Sequence, residues 1–289
     1  MRSLNIYEWL YKSIKRMYLL YNPYTDEGRK RYLEAIERFR KLTRHEWFES
    51  FLKVRRSIKV VDLCGGTGIG SVALCKVLMD RGYSTTLTII DVRESVKEVA
   101  LRFSREELGR EANFIIGDVR ELEHLEGKAD IMLIYGASTI HFSPWDWIKI
   151  LAKIVKNIVS DGLFINDDID RMYTIIYMQG FKEFIVEEKA KDKLIVSVHG
   201  DYDFINGVFI RRFYDVLGRE YGGELPLFFW SIADLAAYMW LFFKDVDMVF
   251  DDPSRPWRAF ILAKEPRTIL INEKLDLVIP KALTKYHER

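Results

Sequence analysis

From Ile58 to Asp170 short apolar, β-branched runs alternate with helical stretches, and this alternation leaves few architectures open. Ile58-Lys-Val-Val-Asp-Leu63 leads into a helix over 71–79. Leu87–Asp91 leads into a helix through about Glu107. Asn113–Asp118 and Ala129–Tyr135 follow, then a helix over 145–159, and Gly162–Asp167 closes the series. The strand runs are apolar throughout, the mark of strands covered on both faces. Strands joined by crossover helices pair in parallel. With further strands expected over 246–250 and 258–263, the pattern predicts an α/β fold: a doubly wound, mostly parallel seven-stranded sheet with helices on both faces.

The flanks differ. Residues 1–57 carry no strand pattern. Trp9, Leu10, Ile14, Met17 and Leu20 recur at helical spacing up to the Asn22-Pro23 break, and further helices are expected over 26–42 and 44–54. This segment reads as an N-terminal helical cap. A helix is expected from Asp170 through about Lys191, then an inserted antiparallel hairpin whose strands lie at 193–199 and 207–214. Ser231-Ile-Ala-Asp234 is a capping pattern opening an apolar helix to about Phe243. The expected organisation is a cap over 1–57, a main domain over 58–266 with an insertion at about 192–230, and an extension over 267–289.

Composition narrows the class. Among 289 residues, 49% are hydrophobic and 30% charged, which is globular material rather than a disordered chain. No uncharged apolar run approaches the ~18 residues of a membrane span, and the first residues lack a signal peptide's apolar stretch. Only Cys64 and Cys75 occur, too few for a disulfide framework, and no metal site is expected. A cytoplasmic protein is the expectation, with no membrane partner. Net charge is +1, so no global attraction to nucleic acid exists, although residues 1–57 carry a net +7. That excess reads as a solvated helix face, with a phosphate-bearing substrate as the alternative.

The chemistry concentrates at Val60-Val-Asp62-Leu-Cys64-Gly65-Gly66-Thr-Gly68-Ile-Gly70, where an acid closes a buried strand and a glycine-rich turn opens a helix. Glycine there lets backbone approach a ligand that a Cβ would exclude. In open α/β sheets ligands bind beyond the carboxyl ends of the strands. A nicotinamide fingerprint fits poorly, because Ser71 stands where its last glycine belongs. The segment resembles the first motif of the class I S-adenosylmethionine-dependent methyltransferases, Asp-x-Gly-x-Gly-x-Gly, with Cys64 where the first glycine is usual and Gly65 beside it. The resemblance continues in order. Asp91, with Val92, stands where the family's second strand holds the ribose hydroxyls. Asp118, with Val119, stands where the adenine amino group is received, and Tyr135-Gly136 ends the fourth strand. It implies S-adenosyl-L-methionine as cofactor, with Asp62, Cys64, Gly65, Gly66, Gly68, Asp91, Val92, Asp118, Val119, Tyr135 and Gly136 around it.

The acceptor side is less legible. His141 is a candidate general base or a structural histidine. Asn166, Asp167 and Asp168 leave the fifth strand toward the acceptor, and Asp167 is the candidate among them, against a reading as a helix cap. Cys64 reads as a packed small residue rather than a nucleophile. Among the tyrosines of the cap, most read as core, and Tyr21 or Tyr24 as lid residues. The inserted hairpin resembles that of the small-molecule branch, so a small-molecule acceptor is expected and nucleic acid is not. An RNA methyltransferase and a non-catalytic partner subunit are the competing readings. Oligomeric state is not readable from the sequence.

Overall fold

A computed structural model describes residues 2–122 and 125–267, with side chains from Ile6 onward. At its centre lies β1 (Ser57–Leu63), parallel to both β2 (Ser84–Asp91) and β4 (Ala129–Ile134). β3 (Asn113–Ile116) continues the parallel sheet beyond β2, and β5 (Ile158–Ile169) continues it beyond β4. β11 (Arg258–Pro266) runs antiparallel to β5, and β10 (Phe243–Val249) pairs antiparallel with β11. The order β10-β11-β5-β4-β1-β2-β3 makes seven strands, mostly parallel. Strand order reverses between β1 and β4, where such sheets form ligand sites.

Both faces are covered, which is why the strands carry apolar side chains in both directions. On one face α5 (Ile69–Asp80) and α6 (Lys97–Leu108) pack with two N-terminal helices, α3 (Asp26–Leu42) and α4 (Glu46–Lys53). On the other lie α7 (Pro144–Asn157) and α8 (Ile232–Phe242). α3 has Thr25 as its N-cap, accepting from the Gly28 N–H, with Asp26 and Glu27 in its first turn and Arg40 and Lys41 in its last. It buries Tyr32, Ala35, Ile36, Phe39 and Leu42, worth ~1.5–3 kcal/mol for each large side chain. α3 and α4 are therefore part of the core layer. Only α1 (Arg2–Ser13) and α2 (Lys15–Tyr21) stand as a cap. The single first helix expected from the sequence is broken at Ile14, whose backbone is extended and whose side chain is buried.

The insertion is larger than a hairpin. β7 (Leu194–Asp203) and β8 (Val208–Asp215) match the two expected strands, but β6 (Phe184–Lys189) and β9 (Glu220–Leu227) complete a four-stranded antiparallel sheet in the order β6-β7-β8-β9. The helix expected through Lys191 shrinks to a wide-turn segment, Met172–Met178. α1, through Ile6 and Leu10, and the break residue Ile14 pack on this sheet against Ile195, Phe213 and Leu225. The expected capping pattern forms as a reciprocal box, Ser231 with Asp234, and the structure adds a second that the sequence reading missed, Ser143 with Asp146 at the start of α7. Among the described residues no helix is long and apolar enough to cross a membrane. The extension lies outside the described residues from 268 on.

Candidate active site

A cavity of about 280 Å³ opens at the carboxyl ends of β1, β2, β3 and β4, beneath α1 and α2. The structure brings Asp62, Cys64, Gly65, Gly66, Asp91, Val92, Asp118, Val119, Tyr135, Gly136 and His141 around it. Gly68 lies just behind as the N-cap of α5, at φ +82°. Asp167 is absent from its walls.

The turn after β1 is shaped by close approaches. Cys64 itself adopts φ +63°, a left-handed conformation that favours glycine, the residue usual at that place. A Cβ on Gly65 would come within 2.5 Å of Asp62 Oδ2, and one on Gly70 within 2.4 Å of the Tyr135 ring. Asp62 is buried beneath the loop, and neither carboxyl oxygen finds a hydrogen-bond partner. Burial pushes its carboxyl up to about 7, with Asp91 adding to the rise and Ser71 opposing it. The Cys64 thiol is likewise raised well above its ordinary value by burial, which fits packing rather than nucleophilic reactivity.

Two carboxylates at neighbouring strand ends are held in the same way, each by the arginine two residues on. Asp91 Oδ1 accepts from the Arg93 N–H and Nε, both at 3.0 Å, and Oδ2 from the Gly66 N–H at 2.7 Å and from Arg93 Nη2 at 3.3 Å. Asp118 accepts from the Arg120 N–H, Nε and Nη2. Burial would raise the Asp118 carboxyl, but Arg120 outweighs it and holds it below the usual range. The arrangement repeats Asp-Val-Arg, at 91–93 and 118–120. That repeat was visible in the sequence and would have exposed both arginines.

The roof is aromatic. Tyr7 meets the His141 ring edge-on at 5.0 Å between centroids. The Tyr11 ring lies 3.9 Å from the Arg93 guanidinium carbon, and Tyr21 packs edge-on to Tyr11. Thr67 Oγ1 donates to the Tyr21 carbonyl at 2.6 Å, tying the glycine loop to the cap. Tyr24, the other candidate lid residue, lies outside the cavity and donates to Glu106. His141 has a buried, unpartnered Nδ1. Burial pushes its imidazole down to about 3, with Arg171, Arg93 and Arg120 adding to the fall. It is neutral at physiological pH, a hydrogen-bonding group and a weak base.

The acceptor-side candidates of β5 turn inward. Asp167 is fully buried and accepts from Arg38 Nη1 at 2.6 Å, from Arg258 Nη2 at 2.7 Å and from the Gly136 N–H at 3.1 Å, while its own carbonyl accepts from the Ala137 N–H. It ties the turn after β4 to Arg38 and Arg258 and stands outside the cavity's lining, away from the acceptor-facing position expected of it. Asp168 accepts from Thr139 Oγ1 and the Ile169 N–H, and the Asn166 amide is buried without a partner. Much of the basic excess of 1–57 also meets acids: Arg29 pairs with Glu107, Arg38 with Asp167 and Asp251, and Arg55 with Asp130 and Asp161.

Residues 60–162 match the family model described as "Methyltransferase domain". This stretch is a methyltransferase domain. No curated protein matches the chain. Among solved structures, an S-adenosylmethionine-dependent methyltransferase from Clostridium acetobutylicum superposes with a TM-score of 0.57 at 15% identity, over 80% of this chain and 92% of that one. A protein of Pyrococcus horikoshii gives 0.56 at 19%, over 87% and 97%. The sugar N-methyltransferase KedS8 from Streptoalloteichus gives 0.54 at 13%, over 82% and 88%. At these identities the likeness is one of fold. S-adenosylmethionine is the cofactor that the sequence resemblance implies, and the cavity suits that group. Asp62 offers unpartnered buried oxygens beside the glycine turn, Arg93 Nη1 is also buried and unpartnered, and a Cβ on Gly66 would intrude to 2.7 Å from Arg93.

Proposed function

We propose that the enzyme methylates a small-molecule acceptor bound between His141 and the roof of α1 and α2. The observation that carries this reading is the enclosure. The cavity is roofed by Tyr7, Tyr11 and Tyr21, and its volume lies just under the ~300–1,000 Å³ usual for small-molecule sites. The cofactor lies along the Gly65–Gly68 turn. Asp91 holds its ribose diol in place of the long 3.3 Å contact from Arg93, and Asp118 faces its adenine. Val92 and Val119 flank the base, and the Tyr135–Gly136 turn, fixed by Asp167, borders its methionine end.

S-adenosylmethionine supplies an electrophilic methyl on a sulfonium whose departing thioether is neutral, so the protein's work is alignment and exclusion of water. Tyr7 and His141 supply the walls for that alignment. The segment that follows β9 holds the His141 segment in place: the Phe228 N–H donates to the Ile140 carbonyl, and Trp230 Nε1 to the Thr139 and Phe142 carbonyls. A sugar N-methyltransferase is among the structures sharing the fold, which is compatible with a small acceptor.

The test is transfer of labelled methyl from S-adenosylmethionine to a panel of small amines, phenols and hydroxy acids, alongside total RNA. Label in small molecules is expected. Label confined to RNA, with salt-sensitive retention, would contradict the reading.

A further inference from the structure

The cavity holds more positive charge than its acids account for. Its walls contain Arg31, Arg93, Arg120 and Arg171 against Asp62, Asp91 and Asp118. Arg93 and Arg120 are matched by Asp91 and Asp118. Arg31 and Arg171 form no ion pair among the described residues, and Arg171 Nε is buried without a hydrogen-bond partner. Burial favours the protonated form of Asp62, and one carboxyl cannot balance both. S-adenosylmethionine worsens the imbalance, since it carries a sulfonium and an ammonium against one carboxylate. Unpaired guanidinium groups in an enclosed site are costly unless a ligand completes them.

Of these two arginines without an ion pair, Arg31 donates from Nη1 to the Leu20 carbonyl at 3.4 Å. Arg31 lies over the Tyr21 ring at 4.1 Å and against Gly136, where a Cβ would meet its Nη2 at 2.6 Å, which is the cofactor's methionine end. Arg171 follows β5 and lines the cavity with His141, on whose imidazole its charge acts. Both act on the Tyr21 phenol. Burial would raise that phenol, yet Arg31, Arg171 and Arg93, together with the neighbouring Tyr11, carry it below its ordinary value. The region between these guanidinium groups thus already favours an anionic oxygen.

Resting on the cofactor reading above, we infer that the acceptor is an oxyanion, a carboxylate or a phosphate monoester, whose charged group is held by Arg171 beside His141 and Tyr21. A guanidinium suits this task because its fork matches either group in two parallel hydrogen bonds. Arg31 is left to the cofactor's own carboxylate. The acceptor's anion also cancels the charge that the sulfonium brings, so cofactor and acceptor bind with mutual support.

The test is calorimetric titration with phenyl phosphate and benzoate, and with benzamide as the neutral control. It is run on apo protein and on protein saturated with S-adenosylhomocysteine, in buffer free of oxyanions. Either oxyanion is expected to bind and benzamide not to. Arg171→Gln is expected to weaken the oxyanion tenfold or more while S-adenosylhomocysteine affinity stays within twofold, and Arg171→Lys to recover part of the loss. The thermal midpoint of each variant separates this from unfolding. Equal binding of benzamide, no oxyanion binding to wild type, or an equal loss of S-adenosylhomocysteine affinity in Arg171→Gln would each overturn the assignment. Failure of S-adenosylhomocysteine to bind wild type would instead overturn the cofactor reading, and the apo titration would still decide the oxyanion site.

Discussion

Asp167→Ala is expected to cost about 3–5 kcal/mol of folding stability, far more than an average substitution. The carboxylate is fully buried between Arg38, whose side chain is 4% exposed, and Arg258, at 16%. Removing it leaves two guanidinium groups facing each other across a hole, with Asp251 still pairing Arg38 but nothing pairing Arg258. Burial would raise the Asp167 carboxyl, but Arg258 and Arg38 prevail and hold it below its usual range. A depressed folded value means that its stabilisation is present above the unfolded value of ~3.9 and is lost as pH falls through the folded one. Urea unfolding from pH 3 to 7 checks this: wild type should lose stability on acidification, and the variant should lose less of it. Lys244→Ala provides the contrast, because its pair with Glu265 is about half exposed on both sides and should shift stability by under ~1 kcal/mol. Equal effects of the two substitutions would contradict the structural role given to Asp167.

The second large effect concerns Asp62 and has the opposite sign. Its folded value of about 7 lies above the unfolded ~3.9, so the folded state retains a proton that the unfolded state has released. Stability from this group is fully present below pH ~4 and is lost as pH rises through 7. The full span amounts to roughly 4 kcal/mol by linkage, one pKa unit being ~1.4 kcal/mol. Asp62→Asn is neutral at every pH and nearly isosteric. It should match wild type below pH ~4, where both proteins carry a neutral side chain in both states, and exceed it in stability at pH 8 by on the order of 2–4 kcal/mol. Asp168, raised by burial to about 6, pulls the same way in both proteins, so the difference between them isolates Asp62. A variant less stable than wild type at both pH values would show that the carboxylate is ionised and satisfied in the fold.

How much of this was legible in the sequence depended on where each residue's partners lie. Strands β1, β2, β4 and β5 announced themselves because burial on both faces demands unbroken apolar runs, and the glycine turn because its backbone geometry admits few residues. β6 and β9 escaped because they are edge strands of the small sheet, partly exposed and carrying signals that argue against a strand: Glu187, Glu188 and Lys189 in β6, and Gly222, Gly223 and Pro226 in β9. The break at Ile14 has no Pro or Gly to mark it and is set by tertiary packing on β7–β9. Asp167 misled for a similar reason. A carboxylate at the end of a parallel strand looks the same whether it faces a ligand or arginines, and its partners come from α3 and β11. Arg31 and Arg171 belong to no motif, and only the folded cavity reveals them together.

The central claim is that the cavity at the strand ends is the S-adenosylmethionine site. Calorimetric titration of ligand-free protein with S-adenosylmethionine and S-adenosylhomocysteine tests it most directly, with Asp91→Ala beside wild type. One site per chain is expected, weakened in the variant by tenfold or more, about 1.4 kcal/mol, because Asp91 anchors both the Gly66 N–H and Arg93. Absence of binding in folded wild-type protein, or undiminished affinity in Asp91→Ala, would contradict it.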